Sequence, residues 1–153
     1  MHVVFDLDGT LTDPIARVNK HLIDHSRGYP HKRDNVDWDA FFLDCDLDEP
    51  MPHTLETLRA LHSDGHKVEI WTGRGAIARQ KTNDWLMLHG VPQEVIASMI
   101  MRTIGDHRDD DVMKADWTAH YGTPDLVFED RNRVVAMWRR MGVPCFHVAD
   151  GNF

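Results

Sequence analysis

Val3-Val4-Phe5-Asp6-Leu7-Asp8-Gly9-Thr10 is a short apolar run that ends in two acids, two positions apart, and a glycine. The run reads as a β-strand. Side chains of a strand alternate faces, so Asp6 and Asp8 project the same way. Gly9 lets the chain turn sharply straight after them. Paired acids at a strand tip divide labour, one carboxylate attacking while the other moves a proton. An acidic turn after an edge strand carries the same local pattern; the clusters further along the chain decide between the two.

Strand-like apolar runs recur at 68–71, 97–101, 126–128 and 145–148, with helical patterns in most of the gaps. Residues 53–63 carry Leu55, Leu58 and Leu61, open after Pro52 and stop at Gly65. Residues 76–89 end at Gly90 and Pro92, 110–121 at Gly122, and 131–141 at Gly142. Proline near a helix start and glycine just past its end are the ordinary punctuation. Strands alternating with helices predict an α/β fold: a three-layer, Rossmann-like, mostly parallel five-stranded sheet with helices on both faces. The connection 14–52 is far longer than one crossover needs. It holds a helix candidate at 15–25, a polar turn at 29–37 and an aromatic run at 38–43. The expectation is a single domain over 1–153, with 14–52 as a small helical cap insertion over the carboxyl edge of the sheet, where ligands bind. Packing of Trp38, Phe41 and Phe42 on the core is the equal alternative.

The chain's 153 residues, 42% hydrophobic and 27% charged, suffice to bury a core. A net charge of −8 argues against a broad basic surface that tracks a polynucleotide backbone, yet leaves room for a local arginine cluster holding one phosphate. Cys45 and Cys145 lie far apart, and without a signal-like leader they are expected to be reduced, buried thiols of a cytoplasmic protein. No apolar run approaches membrane-spanning length, so no membrane partner is expected.

Each further polar cluster falls at the carboxyl end of an expected strand or on the helix beside it. Thr72-Gly73-Arg74 follows the second strand, Lys114 lies on the helix after the third, and Glu129-Asp130 follow the fourth. Loops at that edge converge, so these residues can share one pocket. Their charges suit phosphoryl transfer. A carboxylate 4 Å from a phosphate dianion meets about 8 kcal/mol of repulsion at an effective dielectric near 20, which cations must offset. Asp6, Asp8 and Asp130 offer oxygen ligands for Mg²⁺. Lys114 adds a point charge, and the Thr72 hydroxyl with neighbouring backbone N–H groups can hold a phosphoryl oxygen. An acyl phosphate on Asp6, hydrolysed by water activated through Asp8, is the economical route.

This order of clusters resembles the haloacid dehalogenase superfamily of phosphohydrolases. The resemblance implies Asp6 as nucleophile, Asp8 as general acid and base, Thr72 and Lys114 as phosphate stabilisers and Asp130 as a Mg²⁺ ligand. A longer likeness runs through Asp110-Asp-Val-Met-Lys114, Phe128-Glu-Asp-Arg131, Val134-Val-Ala-Met-Trp-Arg-Arg-Met-Gly142 and Val148-Ala-Asp-Gly-Asn-Phe153. These stretches resemble the 3′-phosphatase domain of bacteriophage polynucleotide kinase-phosphatase. Its functional residues fall on Asp6, Asp8, Arg17, Arg74, Asp110, Lys114, Glu129 and Asp130. Glu129 stands where that family has aspartate, and Thr72 where it has serine. The implied activity is Mg²⁺-dependent release of 3′-phosphate, or of 2′,3′-cyclic phosphate, from DNA or RNA ends or from nucleotides. A separate kinase or ligase is an expected partner. No glycine-rich loop ends in Gly-Lys-Ser/Thr, so 5′ phosphorylation is not expected of this chain.

Arg17, Gly73 and Arg74 are candidate substrate contacts, Arg74 beside Thr72-Gly73 and Arg17 at the start of the insertion, with a solvated helix arginine as the alternative for Arg17. Asp110 and Lys114 share a helix face, which makes Asp110 a candidate to fix the lysine, with Asp111 competing and a helix N-terminal charge cluster at 109–111 as the alternative. Trp38 is the candidate for stacking on a base, whereas Trp71, Trp85, Trp117 and Trp138 read as core. His107, near the Lys114 segment, is divided between a surface loop and substrate contact, with the loop favoured, and His21 with His25 lacks the further ligands of a zinc site. Arg131, Arg133, Arg139 and Arg140 are divided between guiding a polynucleotide and facing solvent. The rival functions are a nucleotidase or small-metabolite phosphatase on the same machinery, a phosphate-sensing receiver module, and a catalytically idle adaptor.

Overall fold

The computed structural model describes residues 1–24, 29–30 and 36–151. β1 (His2–Phe5) leads through β2 (Thr12–Asp13) and α1 (Ile15–His21) to the antiparallel pair β3 (Ile23–Asp24) and β4 (Tyr29–Pro30). α2 (Trp38–Leu43) and β5 (Glu49–Pro50) complete this first connection, with β5 antiparallel to β2. The chain then alternates through α3 (Pro52–Ser63), β6 (Lys67–Gly75), α4 (Arg79–Leu88), α5 (Gln93–Ala97) and β7 (Ile100–Arg102). It finishes with α6 (Asp110–Tyr121), β8 (Leu126–Glu129), α7 (Asn132–Arg140) and β9 (Cys145–His147).

The main sheet has the order β7-β6-β1-β8-β9, and every pairing within it is parallel. The strands wind outward from β1 in both directions. The crevice at the carboxyl ends of β1 and β8 is therefore the topological switch point at which such sheets bind ligands. Alternation in β1 sends Val3 and Phe5 toward Leu55 and Leu58 of α3 and Leu86 of α4. Val4 faces the other way, toward Val134, Val135 and Trp138 of α7. Cover on both faces is why β1 reads as an unbroken apolar run. Phe5 also stacks flat on Phe128 of β8, with ring centroids 4.3 Å apart.

The expected parallel five-stranded sheet is present, but several boundaries differ. The run 97–101 is not one strand: Ala97 closes α5, and β7 begins at Ile100, where it pairs with Trp71. β6 continues past its apolar run to Gly75, because a register shift lets Gly75 pair with Arg102. The helix expected at 76–89 opens as a 3-10 turn before α4. That expected at 15–25 stops at His21, since Ile23 and Asp24 are taken up by pairing with Pro30 and Tyr29. The aromatic run 38–43 is helical, its start capped by Asp37, which accepts from the Ala40 amide at 3.0 Å. Most of the polar turn expected at 29–37 lies outside the described residues, as do His25 and the terminal Asn152 and Phe153. No helix among the described residues is long and apolar enough to cross a membrane.

Candidate active site

Asp6 leaves the tip of β1, its amide held by the Phe128 carbonyl of β8 at 2.9 Å. Gly9 then turns with φ +84°, and a Cβ there would collide with the carboxylate of Asp130. Gly151 has the same collision in store on another side of Asp130. Two glycines thus make room for one buried acid at the end of β8, which is a packing reason for the glycine after the paired acids.

Lys114 projects from α6 and is fully enclosed. Its Nζ donates to Asp6 Oδ1 at 2.5 Å and to Glu129 Oε2 at 2.7 Å. Glu129 Oε1 accepts from the amides of Asp130 and Arg131, both at 3.2 Å. Ligand oxygens of Asp6, Glu129 and Asp130 all lie within 4.8 Å of one another. Neither carboxylate oxygen of Asp130 has a hydrogen-bond partner, although both are buried. Burial, with Asp6 and Glu129 beside it, pushes Asp130 up to about 9. Burial and Glu129 likewise push Asp6 up to about 8, against the pull of Lys114. Burial works against the charge of Lys114, but Asp6 and Glu129 overcome it and hold the ammonium well above its ordinary range. Three acids facing the Lys114 ammonium, with Arg131 nearby but paired to Asp110, and two orphaned oxygens make a donor set that fits a hard divalent cation bound by oxygen.

A second network surrounds Asp8. Its carboxylate accepts from Arg17 Nη2 and Arg74 Nη2. Both arginines also hold Asp48: Arg17 through Nε and Nη2 at 2.7 and 2.8 Å, Arg74 through Nη2 at 2.9 Å. Burial alone would protonate Asp8; the two guanidiniums prevail and hold it well below the usual carboxylate range. Arg17 lies 4.4 Å over the Phe41 ring and is wholly buried. It is therefore neither solvated nor on the cavity wall.

Asp110, in the first turn of α6, forms a third group. It accepts from Arg102 Nη2 and from Arg131 Nη1, the latter at 2.6 Å, instead of fixing Lys114. Arg102 also donates to the carbonyl of Gly73 at 2.8 Å, and a Cβ on Gly73 would come within 2.6 Å of Asp110 Oδ1. Beside it, Thr72 Oγ1 accepts from the Arg74 amide at 3.0 Å, and a hydroxyl that accepts there still carries a proton to donate.

These groups close around one cavity of about 460 Å³, walled by Asp6, Asp8, Thr72, Arg74, Asp110 and Arg131. Of the candidate site residues, Asp6, Asp8, Thr72, Gly73, Arg74 and Asp110 line this cavity, whereas Arg17, Lys114, Glu129 and Asp130 are buried behind them and Arg133, Arg139 and Arg140 are not in its wall. The expected ligand set of Asp6, Asp8 and Asp130 differs from the clustered one: the Asp8 side chain is given to arginines, and Glu129 stands in the acid cluster. Sequence reasoning did not single out Asp48 or Arg102. Asp48 sits in a polar run, and its partners are 31 and 26 residues away, so no local periodicity marks it.

A sheet of this order with acids, a hydroxyl, a lysine and arginines at its switch point defines a phosphatase of haloacid dehalogenase type. The family model described as the polynucleotide kinase PNKP phosphatase domain matches residues 1–153, and the chain belongs to that family. Two solved chains of the Pnkp1/Rnl/Hen1 RNA repair complex are similar over 99% of this chain, at 26% and 27% identity and TM-score 0.74. This chain spans 43% and 47% of their lengths, less than half. The class C acid phosphatase of Bacillus anthracis shares the fold at 16% identity and TM-score 0.61, covering 97% of this chain and 68% of its own. A haloacid dehalogenase-like hydrolase of Streptococcus pneumoniae does so at 15% identity and TM-score 0.58, with 94% and 82% covered.

Proposed function

We propose that this protein is a Mg²⁺-dependent phosphomonoesterase that removes the 3′-phosphate from polynucleotide ends. One observation carries the chemistry: Asp6 alone of the acid cluster reaches the cavity, while Lys114 holds one of its oxygens. The 3′ end as substrate is supported by membership of the PNKP phosphatase family. The RNA repair complex in which similar chains were solved supports a role in nucleic-acid repair, and a separate kinase or ligase is the partner this reading calls for.

Asp6, Asp130 and Glu129 hold Mg²⁺ in this reading, and Mg²⁺ supplies the positive charge that lets a carboxylate meet a phosphate. Arg74 and the Thr72 hydroxyl orient the phosphate. Asp6 attacks phosphorus, the bond to the 3′ oxygen breaks, and Asp8 protonates that oxygen as it leaves. The arriving dianion shares the charge of Arg74, which relieves the hold of the guanidiniums on Asp8 and lets it carry a proton. Asp8 then takes a proton from water, the resulting hydroxide splits the acyl phosphate, and Asp6 is regenerated. Lys114 offsets charge on Asp6 throughout.

The test compares matched oligonucleotides carrying a 3′ or a 5′ phosphate, with Mg²⁺ present. Release from the 3′ end, abolished in Asp6→Asn, is expected. Equal release from both ends, or from neither, contradicts the proposal.

A further inference from the structure

Helix α2 carries three aromatic rings that pack on one another. Trp38 meets Phe41 edge-on at 5.6 Å and Phe42 at 6.1 Å, and Phe41 meets Phe42 at 5.6 Å. Phe41 is buried, whereas Trp38 and Phe42 are half-buried and line the same cavity as Asp6, Asp8 and Arg74. The rings are tied to the phosphate machinery at two points. Phe41 lies against Arg17, which holds Asp8. Phe42 lies on Gly75, one residue beyond Arg74, where a Cβ would stand 2.9 Å from Phe42 Cδ2. A glycine at that position lets an aromatic face close on the strand that carries Thr72 and Arg74.

An apolar aromatic face continuous with a phosphate pocket suits a ligand whose phosphate sits near a flat, uncharged ring system. A net charge of −8 argues against a broad basic surface for a long strand, which favours recognition concentrated near the reacting end. Resting on the 3′-end reading above, we propose that Trp38, backed by Phe42, stacks on the base of the terminal nucleotide that bears the phosphate. Trp38 is thereby a specificity determinant: the base adds binding in proportion to its stacking, with little regard to sequence, because every base has a π-face.

The experiment uses two 3′-phosphorylated oligonucleotides, one complete and one abasic at its last position, with the wild type, Trp38→Ala and Trp38→Phe. The expected kcat/KM ratio, complete over abasic, is about ten- to hundredfold in the wild type, carried by KM. It falls to within about threefold of unity in Trp38→Ala and is largely kept in Trp38→Phe. A wild-type ratio near one, or a ratio untouched by Trp38→Ala, overturns the stacking role. Failure of the wild type to act on either 3′ end, with a simple phosphomonoester still hydrolysed, overturns the 3′-end reading instead. Fluorescence then decides stacking by itself: a nucleoside monophosphate has to quench emission that inorganic phosphate does not, and the quench has to vanish in Trp38→Phe. Equal response to both probes overturns it.

Discussion

Binding of Mg²⁺ to the metal-free protein is expected to expel protons. Burial and mutual repulsion raise Asp6 to about 8 and Asp130 to about 9. At pH 7 those values leave the first about 90% and the second about 99% protonated. A cation takes the ionised form of each, so about one to two protons leave per ion bound. The sign for stability follows from the same shifts. Folded Asp6 and Asp130 hold protons that the unfolded chain has released above its ordinary carboxylate range. Their contribution is therefore complete below about pH 4 and is lost as pH rises through about 8 to 9. Calorimetric titration of Mg²⁺ at pH 7, in buffers of small and large ionisation enthalpy, reads the proton count directly. Melting curves of the metal-free protein between pH 6 and 9 read the slope, which Mg²⁺ is expected to flatten. Asp130→Asn should lower the count by about one proton. Heats independent of the buffer, or a metal-free protein that gains stability over this range, would refute the reasoning.

Lys114→Met should lower kcat by about a hundred- to thousandfold, as expected for loss of a charge aimed at the reacting group; a change under threefold in steady-state assays would contradict its role. Asp48→Asn removes one of the two acids between Arg17 and Arg74, both fully enclosed, and should cost about 3–5 kcal/mol in denaturant unfolding. An unchanged midpoint would show that Asp8 alone suffices for the pair. Burial, with Glu129 nearby, pushes the Cys145 thiol up to about 12, so at pH 8 about one part in ten thousand is thiolate. Burial also raises Cys45, so neither thiol should react with an alkylating agent in the native protein, and rapid labelling of either would count against the packing.

How far the sequence disclosed this molecule depends on the range of each interaction. β1 was legible because cover on both faces demands an unbroken apolar run, and because a turn glycine follows its acids. The convergence of Asp6, Lys114 and Asp130 was legible because each falls at the carboxyl end of an expected strand or on the helix beside it, and carboxyl ends of parallel strands share an edge. Asp48 was not, because its worth lies in two arginines brought to it by tertiary packing. The separate destinations of Asp6 and Asp8 were hidden for the same reason: alternation aims both acids at one edge, but Lys114 claims one and the arginines claim the other. Likewise the face shared by Asp110 and Lys114 suggested a pair, whereas Arg102 and Arg131 reach Asp110 from outside the helix. The end of β6 was misjudged because pairing with β7, and not apolar character, carries it to Gly75.

The central claim is that Asp6 takes the phosphoryl group from a 3′ end. The most direct measurement mixes the protein and Mg²⁺ with an oligonucleotide radiolabelled in its 3′-phosphate, quenches in acid within the first turnover, and maps any label on the chain in peptides kept at acid pH. An alkali-labile label on Asp6, absent in Asp6→Asn and replaced over time by inorganic phosphate, is the expected result. Phosphate released with no label ever on the protein, or with label on another residue, would contradict it.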